Sequence, residues 1–145
     1  MQNVSATGLK ARIVSLPTFP SGFDITQFAD DTDPFSSENV DVADTGVALN
    51  GDLVPWSKPS KITATIGVLP GTQEAKNLDT LLIVNRATKG KLSAQDVVTL
   101  VVTYPNGSTK VGMNGVIVSG PPVDSGSSEG RLKTREYTFH FENVV

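Results

Sequence analysis

Apolar and polar residues alternate along much of this chain, and a period of two residues predicts β-strands with one covered face. The alternation is clear in 9–16, 62–68, 96–104 and 137–142. In 96–104 both faces contain apolar or β-branched side chains, which is typical of a strand that is covered on both sides. The chain is therefore predicted to consist mainly of strands.

One segment breaks this period of two and predicts a single helix over residues 72–88. Leu78 and Leu82 fall on one face at helical spacing. Thr72 offers a side-chain oxygen to the first free backbone amides, which is a common way for a helix to begin. Gly90 follows the segment and suits a left-handed cap after a basic last turn. The helix lies between two predicted strands.

Glycine, proline and asparagine mark the places where the predicted strands turn. The Asn-Gly pair at 50–51 is the strongest two-residue hairpin signal in the chain and predicts paired strands on either side. Pro55 lies inside the return strand, which makes that strand an edge or a bent corner. A change of apolar phase across 114–115 predicts a bulge or kink. Pro17 and Pro20 are predicted to end the first strand.

An acidic loop over residues 29–38 places phenylalanines among aspartates. The residues concerned are Phe28, Asp30, Asp31, Asp33 and Phe35. In one interpretation the phenylalanines tuck under the loop against their own domain while the aspartates face water. In the other, the loop docks on a neighbouring copy, with the phenylalanines as apolar anchors and the aspartates as a polar rim. The pattern favours neither. A calcium site is disfavoured because the required glycine turn and terminal glutamate are missing.

Composition indicates one β-rich domain over residues 1–145. Only 38% of the residues are hydrophobic, and 13 glycines with 9 prolines predict many turns and loops. Residues 120–130 form a predicted Gly/Ser/Pro loop. Residues 1–7 are small and polar, and we expect a mobile end or an arm that orders on assembly. The net charge of -3 argues against a protein that grips DNA or anionic membranes.

The chain contains no recognisable catalytic or metal-binding constellation. Its single histidine, His140, lies on the strand face opposite Tyr137, Phe139 and Phe141. The chain has no cysteine. We therefore predict no enzyme activity, no cofactor and no metal. No apolar stretch is long enough to span a bilayer, so a soluble protein without a membrane segment is expected.

Four segments, taken together and in this order, resemble the small tail tube proteins of contractile-tailed, myovirus-type bacteriophages. They are 22–35, 50–56, 78–104 and 131–142. The most telling parts are Gly-Phe-Asp-Ile-Thr-Gln-Phe-Ala-Asp-Asp and Asn-Gly-Asp-Leu-Val, followed by the predicted strand, helix and hairpin. Each part alone is ordinary β-protein sequence, and the likeness rests on their combination.

The resemblance implies a β-sandwich or barrel with one flanking helix. It further implies a structural virion protein, with six copies closing into a ring and rings stacking into the inner tail tube, through which DNA passes into the host cell without specific binding. The implied partners are further copies of the chain, the tail sheath protein, and the baseplate and tail terminator proteins. The implied location is the virion tail, assembled in the cytoplasm of the host bacterium.

Two groups of site residues are expected on this basis. Phe28, Asp30, Asp31, Asp33 and Phe35 would lie at subunit or ring contacts. Asp41, Asp44 and Asp52 flank the hairpin and would face the lumen, where negative charge repels the phosphates of passing DNA.

Two alternatives stay open. The first is another tail component, such as a terminator or baseplate ring protein. The second is a small β-sandwich carbohydrate-binding module that uses Trp56. This module is disfavoured because aromatic residues make up only 6% of the chain and there is no second tryptophan.

Overall fold

Strands dominate the computed structural model, which describes residues 8–28, 35–124, 126, 130 and 132–145. In chain order, the elements are β1 (Lys10–Leu16), β2 (Phe19–Ile25), β3 (Phe35–Ser37), β4 (Ala43–Val47), β5 (Leu53–Ser57), β6 (Ile62–Val68), α1 (Gln73–Asn85), β7 (Val97–Thr103), β8 (Thr109–Ser119), β9 (Arg135–Phe141) and β10 (Asn143–Val144). The predicted mainly-β sandwich with one flanking helix is confirmed.

Strand β8 belongs to both layers of the sandwich. The strand order is β2-β1-β7-β8-β9-β6-β3, all antiparallel, and β10 pairs with β8 as well. The first half of β8 pairs with β7, and its second half pairs with β9. Between the two halves Asn114 has a φ of 52° and the register with β7 shifts. The kink predicted at 114–115 is confirmed.

The core lies between the two layers and consists of the inward positions of the alternating segments. One layer supplies side chains such as Ile13 and Leu100, and the other supplies Ile66, Tyr137 and Phe139. All five are buried. The alternate positions of β7 are half-buried at Thr99, Val101 and Thr103, so its two faces are covered unequally.

Helix α1 begins as predicted and ends earlier than predicted. Thr72 is the N-cap, and its Oγ1 accepts a hydrogen bond of 3.2 Å from the backbone N–H of Ala75. The helix ends at Asn85 instead of residue 88. Its last carbonyls accept from both backbone and side chains, since Arg86 N–H (3.2 Å) and Lys91 Nζ (2.7 Å) donate to Ile83 O and Ala94 N–H donates to Val84 O (3.0 Å).

Strand β2 occupies a segment for which no strand is predicted from the sequence. It pairs with β1 and lies at the end of the strand order, where Pro20 is tolerated because an edge strand has one row of unpaired backbone groups. Arg12 holds this edge by donating to Asp24 (3.0 Å) and to the Ser21 carbonyl. Strand β1 ends at Leu16, directly before Pro17, as predicted, and the sheet continues through β2.

The predicted hairpin is formed by β4 and β5, which make a two-stranded sheet of their own. Its loop contains three residues, 49–51, instead of the predicted two. Ala48 N–H donates to Asp52 O, and Gly51 N–H donates to Ala48 O, both at 2.8 Å. Gly51 has a φ of +90°, which fits a type I turn followed by a left-handed residue.

Some predicted segments lie partly outside the described residues. These are the N-terminal arm at 1–7, positions 29–34 of the acidic loop, and positions 125, 127–129 and 131 in and just after the Gly/Ser/Pro loop. Residues 35–37 of the predicted acidic loop form β3 and pair with β6. The described part of that loop is therefore sheet.

The glycine at 115 is predicted to be essential for the kink. A Cβ there would overlap the Phe141 ring and lie 3.1 Å from the Val98 carbonyl oxygen. Gly115→Ala should destabilise the fold by about 1–3 kcal/mol, as overpacked cores do. Urea unfolding would measure this. Gly126→Ala is the control, because its Cβ would meet no described atom within 4 Å. Equal stability of both variants would contradict the account.

Candidate assembly surface

The β4–β5 hairpin exposes apolar side chains on both faces. Every residue of the two strands is exposed except Gly46, which is half-buried. A two-stranded hairpin alone is marginally stable in water. Within the described chain, no strand besides its partner pairs with either strand of this hairpin. The hairpin is therefore the best candidate for a surface that another chain covers.

One face of the hairpin combines acidic and aromatic side chains, and we call it the acidic face. It consists of Asp44, Gly46, Asp52, Val54 and Trp56, as the strand register and the alternation of side chains require. Trp56 lies across from Asp44 and over Gly46, whose Cβ would lie 3.4 Å from the indole ring. The indole ring thus packs over the backbone of Gly46.

The opposite face contains no charged residue, and we call it the uncharged face. It consists of Thr45, Val47, Leu53 and Pro55. Val47 and Leu53 are directly paired, and they are 73% and 66% exposed. Leu49, in the loop between the strands, is fully exposed. Such a cluster at the end of a hairpin is typical of an interaction site.

All three predicted lumen residues lie in or beside this hairpin. Asp44 and Asp52 are on the acidic face, and Asp41 precedes β4 with its carbonyl accepting a hydrogen bond from Ser60 Oγ (2.8 Å). All three side chains are exposed. The structure places all three on or beside one hairpin, and their position in a lumen stays a prediction.

The two ends of the acidic loop are fixed on strand β6. Phe28 forms a bridge with Val68, and Phe35 pairs with Ile66, so both ends lie close together along one strand. Both phenylalanines are half-buried and pack on the domain's own core, as the first interpretation of the loop has it. Their docking on a neighbouring copy stays a prediction.

Glu74 in the first turn of α1 holds the chain just before this loop. Its carboxylate accepts hydrogen bonds from the backbone N–H groups of Thr26 (3.0 Å) and Gln27 (2.9 Å) and from the Thr26 hydroxyl (3.1 Å). The chain is therefore fixed at Thr26 and Gln27, just before residue 29. Asp30, Asp31 and Asp33 lie outside the described residues.

A cluster around Arg135 was not predicted from the sequence. The buried guanidinium donates to Tyr137 Oη (2.8 Å), Asp79 (3.0 Å) and Asp124, and to the Pro121 carbonyl (3.0 Å). Burial alone would lower the pKa of Arg135, but the hydrogen bonds to Tyr137 and Asp124 raise it overall. Burial raises the pKa of Tyr137, although Arg135 opposes this shift.

This cluster is structural, because it joins α1, β9 and the segment after β8. The alternation that puts Tyr137 inward also puts Arg135 inward, so the sequence did contain the signal. A buried arginine needs carboxylate partners, and two are supplied from distant parts of the chain.

The described residues contain no group of three histidine or acidic side chains that could hold a metal ion. His140 is half-buried on β9, across from Val116 of β8. Among the same residues, no helix is long and apolar enough to cross a membrane.

A family model described as tail fiber protein gp32 matches residues 2–145. The chain belongs to this family. No curated protein matches its sequence. Membership in the tail fiber protein gp32 family confirms the predicted resemblance at the level of a structural tail protein.

Solved structures of contractile injection systems share the fold of this gp32-family chain. One is the sheath/tube terminator of the PVC extracellular contractile injection system in its extended state, with 14% identity and a TM-score of 0.58 over 100% of this chain and 96% of that chain. Another comes from the anti-feeding prophage baseplate, with 11% identity and a TM-score of 0.58 over 100% of this chain and 95% of that one.

Proposed function

We propose that the chain is the subunit of the inner tube of a contractile tail. Six copies close into a ring, the rings stack, and DNA passes through the channel into the host cell. The tube contacts the sheath around it and the baseplate and terminator at its ends. Assembly takes place in the cytoplasm of the host bacterium.

The observation that supports this proposal best is the hairpin with two uncovered faces. A stable protein interface buries about 1,600 Å² in total, which a domain of 145 residues reaches by extending loops and strands to its neighbours. Val47 and Leu53 expose the apolar surface that such a contact needs. The hairpin of one copy would contact a different surface on the next copy. Such a head-to-tail contact either closes a ring or grows into a filament.

The acidic loop is the proposed second contact. Phe28 and Phe35 fix its ends on β6, and Asp30, Asp31 and Asp33 lie between them. In this arrangement, the buried part of each phenylalanine packs on the core of its own domain. The exposed part of each ring contacts the neighbouring copy. The aspartates form a polar rim.

A terminator or baseplate ring protein is the second candidate. The terminator and baseplate structures with TM-scores of 0.58 favour it, because they share the fold over the whole chain. Such a protein would form one ring that does not grow further. Unlimited growth therefore separates the two functions.

Negative-stain electron microscopy of the concentrated protein, with a mass measurement on the same sample, tests the tube. We expect hollow tubes or stacked rings whose mass is a multiple of six chains. A single ring at every concentration would support the terminator or baseplate function instead. A monomer that stays monomeric even when a nucleating baseplate is added would contradict both.

The same assay tests the acidic loop. The triple variant Asp30→Lys, Asp31→Lys and Asp33→Lys should remain folded, with the circular dichroism of the wild type, and should fail to form rings. Lysine at Glu136 and Glu142, two exposed residues on and next to β9, is the control. If the loop variant forms rings at the same concentration as the wild type, the loop does not contribute to the interface.

Asp41, Asp44 and Asp52 are proposed to face the lumen. If they do, tubes of Asp41→Lys/Asp44→Lys should hold short duplex DNA in a nuclease-protected form at low salt, because lysines release counterions from phosphate. Wild-type tubes should not. Tubes with lysine at Glu136 and Glu142 are the matched control, and protected DNA in that control alone would place β9 on the channel wall instead.

A further inference from the structure

The uncharged face of the hairpin has a complementary surface at the other end of the domain. We propose that this face, with Val47 and Leu53, docks on a patch formed by Leu16, Ile83, Leu92 and Val97 of a second copy. We call this acceptor the Leu92 patch. The inference rests on the proposed tube and names the contact between stacked rings.

The Leu92 patch is an exposed apolar surface held by defined contacts. Leu92 is 90% exposed, and the other three side chains are about half-exposed. The segment around Leu92 folds back on α1, since Lys91 Nζ donates to Ile83 O (2.7 Å) and Ala94 N–H donates to Val84 O (3.0 Å). Leu16 and Val97 are register partners on β1 and β7, and the start of β7 is held at the end of α1 because Asp96 N–H donates to Asn85 Oδ1 (2.9 Å).

The hairpin and the patch lie at opposite ends of strand β7. Val97 of the patch is the first residue of β7. Val40 precedes the hairpin and Ile62 follows it, and both line one apolar cleft with Tyr104. Because Tyr104 directly follows β7, the base of the hairpin lies near the last residues of β7. Seven residues of strand span roughly 20 Å. Contacts between opposite ends repeat from copy to copy, as stacking requires.

Charge favours a second copy as the occupant. Three exposed basic residues surround the patch on the segment after α1, namely Arg86, Lys89 and Lys91. The hairpin itself, residues 43–57, contains two exposed aspartates, Asp44 and Asp52, and no basic residue. These opposite charges attract over about 8–10 Å at moderate salt and set the orientation of approach.

The two faces of the hairpin thereby have separate roles. The uncharged face contacts the next ring through apolar side chains, and the acidic face stays free for the channel. Burying the uncharged face leaves no carboxylate in the contact, because Asp44 and Asp52 point to the other side. No buried charge therefore needs a partner.

Two single substitutions test the contact. Leu53→Asp places a charge on the hairpin, and Leu92→Asp places one on the patch. Both side chains are exposed, so both variants should fold and should still form single rings. Val123→Asp is the matched control, since Val123 is 68% exposed and lies outside both surfaces. Ring mass by mass photometry and tube length by electron microscopy are the measurements.

The mixture of the two variants gives the sharpest result. Each variant alone should form rings without tubes, because each has one damaged surface. The Leu92→Asp variant keeps an intact hairpin, and the Leu53→Asp variant keeps an intact patch. When the two variants are mixed, the hairpins of one ring can dock on the patches of the other. We expect pairs of rings with twice the mass, and no long tubes.

The possible failures are distinct. Long tubes from either variant alone would overturn the contact and leave the tube function standing, as would a mixture that forms no ring pairs. If the Val123→Asp control also forms single rings without tubes, any added surface charge blocks stacking. That result would also overturn the proposed contact. Wild-type protein that forms no rings would overturn the proposed function itself.

Discussion

The contact between Phe141 and the glycines of β8 determines the shape of this protein. Gly112 and Gly115 lie against the Phe141 ring, and neither could hold a Cβ without displacing it. Because the strand bends there, it leaves β7 and pairs with β9. The apolar sides of the two layers then face each other, and the sandwich closes.

Burial decided which elements could be predicted. Strand β9 alternates in both sequence and burial because one face is in the core, and β6 keeps its apolar side chains on the same period of two although both of its faces are covered, so both strands were found. Strand β2 is an edge whose only buried residue is Ile25, so it lacks that alternation and was missed. The helix end was missed because its last carbonyls accept from Lys91 Nζ and Ala94 N–H of the following segment, where a left-handed glycine cap was expected.

The candidate surface was only partly visible in the sequence. The Asn-Gly pair identified the hairpin, but Val47 and Leu53 would look the same in a strand that packs on its own core. Sequence pattern tells which side chains share a face, and it does not tell whether the covering surface belongs to the same chain. Only the exposure of the folded hairpin distinguishes the two cases.

In the proposed assembly, another copy of the chain covers the hairpin. Hydrogen exchange measured by mass spectrometry on monomeric and assembled protein tests this directly. Residues 43–57 should exchange rapidly in the monomer, since two strands alone protect their amides weakly. In the assembled protein, exchange there should slow at least tenfold, while β9 stays protected in both. Equal exchange of the hairpin in both states would contradict the claim.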